Sequence, residues 1–273
     1  MTAPELRRYC LVVQYDGAPF HGWQIQAQGP TVQGEIERVL ERLTEARRPL
    51  TGAGRTDRGV HALGQVASVR VPERWSAAAL RTAMNALLPS EIRVSEARRV
   101  PDDFHPRFDA VARSYEYRLG IGPEADSPFR NRWCWDLSEA PPDLELLESA
   151  AHELVGERSF RKFAKVGQPE RGERCRVNEA QWSSWNGVGL RLSITANRYL
   201  HHMVRYLVGT MVAVAQDKRP LDEFTELLNH PSTTLVTSPP APSRGLFLAR
   251  VEYPPDRLGT DPDRDPPQMD EMP

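Results

Sequence analysis

"TGAGRTDRGVHALGQVASVRV" (Thr51–Val71) carries the strongest pattern in the chain. One carboxylate, Asp57, stands between Arg55 and Arg58, with glycines 52, 54, 59 and 64 around it. Glycine lets a loop turn through backbone regions closed to other residues. The loop runs directly into "QVASVRV" (Gln65–Val71), whose β-branched, alternating residues predict a strand. Upstream, "YCLVVQYD" (Tyr9–Asp16) predicts another strand, followed by the aromatic, glycine-containing loop "YDGAPFHGWQIQ". Thr31 then caps a helix with Val32, Ile36, Val39, Leu40 and Leu43 on one face. Downstream, Ser76 caps a helix that stops at Pro89, and Ile92–Val100 reads as a strand.

A second series begins near Asp109. Ser114–Gly120 alternates as a strand, and Asp143–Gly156 predicts a helix. "VNEAQWSSW" and "VGLRLSITA" are two strands joined by Asn186-Gly187, a hairpin signal. Tyr199–Gln216 predicts a long apolar helix, Pro220 starts a short one to Asn229, and Gly245–Pro254 is a last strand. Two similar α+β halves, each a sheet with helices on one side, fit this order. The boundaries implied are 1–106, 107–255 and a tail, 256–273.

The chain has 273 residues, is 40% hydrophobic and 26% charged, and so can bury a core. No apolar run reaches the roughly 18 residues of a membrane span, and the N-terminus lacks the apolar core of a secretion signal. Cys10, Cys134 and Cys175 lie far apart with no CxxC pair, which points to a reduced, cytoplasmic setting and to no zinc ribbon. The net charge of −2 conceals a division, because the tail Asp256–Pro273 holds six acids and two arginines. That proline-rich, acidic segment is expected to be disordered. The body is mildly basic, and all but Lys162, Lys165 and Lys218 of its bases are arginine. Arginine suits forked contacts with phosphate, although genome composition gives the same bias.

What chemistry suits Asp57? "TGAGRTDRG" lacks the Lys-Ser/Thr of a phosphate loop, and it precedes a strand rather than opening the helix a dinucleotide fingerprint needs. No HxxxH or paired carboxylate lies nearby to hold a metal. Flanking arginines favour the ionised carboxylate, which suits a nucleophile or a base held in a stiff loop. A turn aspartate bridged to an arginine would look the same.

Five stretches occur in a telling order: "YDGAPFHGWQ", "GRTDRGVHA", "FHPRFDAVARSYEYR", "NRYLHHMVRYLVG" and "APSRGLFLARVEYP". Together they closely resemble the tRNA pseudouridine synthases of the A type, from about Tyr9 to Pro254. Arg58 stands where alanine is usual, Pro106 interrupts "FHAR", and Arg244 replaces a small or acidic residue. Phe160–Val177 matches only loosely.

The resemblance implies a central mixed, mostly antiparallel sheet shared by two α+β halves, with helices on its outer side. It implies isomerisation of uridine to pseudouridine in the anticodon stem-loop of tRNA, at positions 38–40, by a homodimer. It gives Asp57 the role of nucleophile or base. The carboxylate would attack C1′ or C6 of the nucleotide, or take a proton at C2′. No cofactor or metal is needed, because no atoms are gained or lost. Tyr115 matches a tyrosine that stacks on the target base, although a core strand aromatic would look alike. Arg205 matches an arginine that pairs with Asp57. Arg55 would bind phosphate or brace the loop, and Leu246 would wall the base pocket or simply fill a strand. His201 and His202, adjacent on the expected helix, would point about 100° apart, a poor metal pair. His21 and Trp23 would meet RNA, and His61 would support the loop. A catalytically silent RNA-binding relative is one alternative. An N-glycosidic hydrolase is another, though it would want a second acid.

Overall fold

The computed structural model describes residues 5–165 and 172–258. These fall into two compact units, 5–111 with 251–258, and 112–250. Ten strands and five α-helices among the described residues make an α+β fold with mixed, mostly antiparallel pairing.

In the first unit, β1 (Leu6–Tyr15) lies between β3 (His61–Pro72) and β4 (Ile92–Arg99), antiparallel to both. Tyr9 faces Val69 on one side and Arg99 on the other. The two-residue β2 (Thr51–Gly52) pairs with β3. Helix α1 (Val32–Thr44) begins as its cap predicts: the Thr31 side chain accepts from the Gly34 N–H. Val32, Ile36, Val39 and Leu40 on its inner face are fully buried, each contributing about 1.5–3 kcal/mol of transfer free energy. Helix α2 (Ala77–Asn85) starts at Ser76, whose side chain accepts from Ala79 N–H, and packs on β4.

In the second unit the strand order is β10-β5-β9-β8-β7, from β10 (Leu246–Glu252) through β5 (Ala112–Gly120), β9 (Gly189–Ala196) and β8 (Arg174–Trp185) to β7 (Gly156–Ser159). The short β6 (Trp135–Asp136) runs parallel to β5, which makes the pairing mixed. Asn186 and Gly187, at φ 44° and 69°, turn β8 into β9 in the mirror-image turn that suits a twisted hairpin. Helices α3 (Leu144–His152), α4 (Met203–Ala215) and α5 (Leu221–Asn229) pack on one another.

Three expectations need correction. The long helix begins at Met203 rather than Tyr199, because His202 sits at φ 62°, a left-handed conformation that no helix interior accepts. His201 and His202 therefore precede the helix, with ring centroids 4.2 Å apart. The helix expected through Gly156 ends at His152, and Gly156, at φ 115°, opens β7 instead. The tail expected from Asp256 is structured at its start, since Pro255–Arg257 form a 3-10 turn and Arg257 binds Asp109 and Asp103. Chain return explains the unit boundary: the Val111 N–H donates to Glu252 O at 2.8 Å, and Tyr253 OH to Pro106 O at 2.6 Å. The rest of the tail, 259–273, and residues 166–171 of the loosely matching segment lie outside the described residues.

Candidate active site

The Asp57 loop is fixed from both ends and from beneath. Its first residues are anchored by helix α1, where the buried Glu37 carboxylate accepts from Leu50 N–H at 2.9 Å and from Gln33 Nε2 at 2.8 Å. Ala53 N–H donates to Val66 O at 2.7 Å. Gln65, fully buried in β3, donates from Nε2 to Gly54 O at 3.0 Å. Thr56, next to Asp57, is buried, and its hydroxyl shares a 2.7 Å hydrogen bond with Tyr15 OH. The backbone of Asp57 closes a turn, with Val60 N–H donating to its carbonyl at 3.1 Å and Gly59 at φ 75° completing the reversal. The Asp57 side chain is half-buried, whereas Arg55 and Arg58 are both exposed.

The early aromatic loop is the floor of this arrangement. Trp23 N–H donates to Thr56 O at 3.0 Å, and the Trp23 side chain is only 1% exposed. Phe20 is buried too. Expected RNA contact by Trp23 is thus replaced by packing, because its ring fills the space beside Gly52 and Tyr15. His21 is half-buried, with Nδ1 2.9 Å from Gln28 O. Glycine is required where the two loops touch. A Cβ on Gly17 would lie 2.0 Å from Val60 O, and one on Gly22, at φ 93°, would lie 2.7 Å from Thr56 O. His61 supports the loop as expected: it is buried, its Nδ1 accepts from Gly17 N–H at 3.0 Å, and it lies 3.1 Å from Asp16 Oδ1.

Tyr115, Arg205 and Leu246 belong to the other unit. Tyr115, half-buried on β5, meets Tyr199 edge-on, with centroids 4.9 Å apart and planes at 79°. Tyr199 is itself pinned, its hydroxyl donating to Ile194 O at 2.8 Å and approaching Arg113 O at 3.2 Å. Burial raises the Tyr199 hydroxyl well above the usual phenol range and keeps it a neutral donor. Arg205, half-buried on α4, donates from Nε to Ala241 O at 2.7 Å, while its carbonyl accepts from Ala241 N–H at 2.9 Å. It thereby clamps the segment that leads toward β10. Leu246, 6% exposed, opens β10 after Gly245, where a Cβ would come 2.8 Å from the Tyr117 ring. Arg244, unusual at its position, donates from Nε to Cys134 O at 3.0 Å and holds the same turn.

Sequence reasoning missed Tyr15, Thr56, Gln65 and Tyr199 as supports. Only Gln65 carried a readable signal, a long amide at the head of the apolar-rich run Gln65–Val71. Paired phenol and hydroxyl groups 41 residues apart, as in Tyr15 and Thr56, leave no local mark.

Comparison with known proteins gives the family. Residues 11–109 and 150–254 match the family described as tRNA pseudouridine synthase. A tRNA pseudouridine synthase A of Chlorobium chlorochromatii is 37% identical over 249 residues, covering 91% of this chain and all of that protein. Its counterpart in Chlorobium luteolum is 40% identical over 252 residues, covering 92% of this chain and 97% of the relative. That of Moorella thermoacetica is 38% identical over 250 residues, covering 89% and 98%. The chain belongs to the tRNA pseudouridine synthase family, isomerases that turn uridine in tRNA into pseudouridine.

Proposed function

We propose that this enzyme isomerises uridines in the anticodon stem-loop of tRNA, with Asp57 as its nucleophile or base. The carrying observation is the Asp57 loop: a half-buried carboxylate on a turn that Tyr15, Trp23, Gln65 and His61 fix from the interior. Such fixing suits a group that must meet one atom of a flipped nucleotide. The bond from ribose C1′ to uracil N1 breaks, the base turns, C5 bonds to C1′, and the C5 proton is lost as N1 gains one. The carboxylate serves that exchange by attack on the nucleotide or by removing the sugar proton. In this reading Tyr115 stacks on the uracil, Leu246 walls its pocket, Arg55 meets the adjacent phosphate, and Arg205 supplies a cationic donor to the reaction. The departing base carries negative charge that cationic donors stabilise.

The working form is a homodimer in the cytoplasm, acting on tRNA without a cofactor. The reduced, buried cysteines support that compartment, and no helix among the described residues is long and apolar enough to cross a membrane. Incubation with an unmodified tRNA transcript tests the reading. Pseudouridine at the anticodon arm is the result expected. Free uracil would indicate an N-glycosidic hydrolase, and binding without change a silent relative.

A further inference from the structure

Phe108 is 70% exposed, yet the loop that carries it is held by a set of hydrogen bonds. The Asp109 carboxylate accepts from His105 N–H at 3.0 Å and from Arg257 Nε and Nη2 at 2.9 and 2.7 Å. Asp109 N–H donates back to His105 O at 3.0 Å. His105 Nδ1 accepts from Arg107 N–H at 3.1 Å and Phe108 N–H at 3.3 Å, which fixes the imidazole plane. Tyr253 OH donates to Pro106 O at 2.6 Å, and its ring packs on the buried Phe104, centroids 5.2 Å apart. The Phe108 ring lies on the His105 imidazole, 4.2 Å between centroids with planes 32° apart. Most of the ring faces water.

An apolar ring on a mobile loop would mean little. A ring held out by a rigid scaffold, backed by a second ring, has lost its freedom before any partner arrives, which is the condition for efficient binding. The surroundings identify the partner. Its exposed neighbours in sequence are Asp102, Asp103 and Arg107, with one aliphatic side chain, Val111. One ring and one valine among charged residues fall short of the broad apolar patch on which protein partners dock. The ring does match one nucleobase in area. The local acids are also matched by arginine, which lowers their opposition to a polyanion. Asp102 pairs with Arg70, and Asp103 and Asp109 with Arg257, while Arg8 donates to the Asp102 carbonyl.

We propose that Phe108, with His105 behind it, is a stacking platform for an unpaired nucleobase of the RNA substrate other than the reacting uridine. This rests on the reading above that the substrate is tRNA. Base stacking on one aromatic side chain is sequence-tolerant and needs no hydrogen-bond code. The platform would hold the RNA without touching the reacting atoms.

The test uses the full-length protein and an unmodified tRNA transcript, with wild type, Phe108→Ala, Phe108→Leu and Phe108→Trp. Dissociation constants across a salt series, sedimentation of the free protein and pseudouridine yield are read from the same preparations. Phe108→Ala and Phe108→Leu should weaken binding roughly five- to hundredfold, the range for one stacked base. Phe108→Trp should stay within about twofold of wild type, because an indole offers at least as large a stacking face. The slope of log affinity against log salt should be the same in all four, since no phosphate contact is removed. Wild-type affinity in Phe108→Ala, or in Phe108→Leu, would overturn the proposal. So would a change of sedimentation in Phe108→Ala, which would assign the ring to an interface between copies of the chain. Failure of the wild type to form pseudouridine would instead remove the functional reading beneath it.

Discussion

Single residues of the proposed site divide into groups that meet the substrate and groups that hold them. Tyr115 is proposed for the first group. Tyr115→Phe keeps a stacking face and Tyr115→Ala removes it, so Phe should bind tRNA more tightly than Ala, by up to about 1–3 kcal/mol. Equal dissociation constants for the two would show that this ring does not stack on uracil. Tyr15 is a case of the second. Tyr15→Phe removes the hydrogen bond to Thr56 and leaves a buried hydroxyl unmatched, at a cost of about 1–3 kcal/mol. Because Thr56 adjoins Asp57, single-turnover conversion should fall roughly ten- to a hundredfold, with tRNA affinity nearly unchanged. Loss of affinity without loss of rate would contradict a positioning role. Motifs in the sequence nominate Asp57, Arg55, Tyr115, Arg205 and Leu246 for the groups that meet the substrate. Their supports were not legible there, because a hydrogen bond such as Tyr15–Thr56 joins residues whose sequence neighbourhoods are unrelated. Trp23 was misread for the same reason: a loop tryptophan looks exposed until Gly52 and Tyr15 are seen to enclose it.

At the scale of elements, caps and turns were the most readable. Thr31, Ser76, Asp143 and Pro220 each mark the helix start they predict. Replacing Thr31 by Ala should cost about 1 kcal/mol in chemical denaturation, with no change in the slope of the transition. Gly17→Ala should be far worse, because its Cβ would meet the Val60 carbonyl in the loop that carries Asp57; loss of the folded state or a sharply lower Tm is expected. A wild-type Tm would show that the two loops do not touch. The start of α4 was misplaced because apolar periodicity continues through Leu200, while the left-handed residue at His202 leaves no compositional sign. The two-residue strands β2 and β6 were invisible, since pairing at that length comes from the neighbouring strand rather than from propensity.

At the scale of the whole molecule, two α+β halves were legible from the order of elements, but the return of residues 251–258 to the first unit was not. Arg257, one of the two arginines in the acidic tail, closes that return through Asp109. Burial works to raise the Asp109 carboxyl, but bonds from the His105 N–H and the Arg257 guanidinium outweigh it and hold it below the ordinary range. A depressed carboxyl contributes stability above its unfolded pKa and loses it as pH falls through the folded value. The clamp should therefore be intact at neutral pH and open in acid. The three cysteines give a second check. Burial pushes Cys10 up to about 12, and Cys134 and Cys175 up to about 11. Thiols so shifted stay protonated at pH 8, so a thiol reagent should label none of the three in the native protein and all three in denaturant. Rapid native labelling would contradict their burial. Binding to tRNA should weaken steeply with salt despite the net charge of −2, by a slope of about 0.7 to 0.9 per phosphate neutralised.

We propose that one carboxylate, Asp57, on one fixed loop, carries the chemistry. Asp57→Asn preserves shape and removes the charge. In single-turnover reactions with saturating enzyme and an unmodified tRNA transcript, this variant should form no measurable pseudouridine while binding the tRNA with near wild-type affinity. Pseudouridine formation close to the wild-type rate would contradict the account.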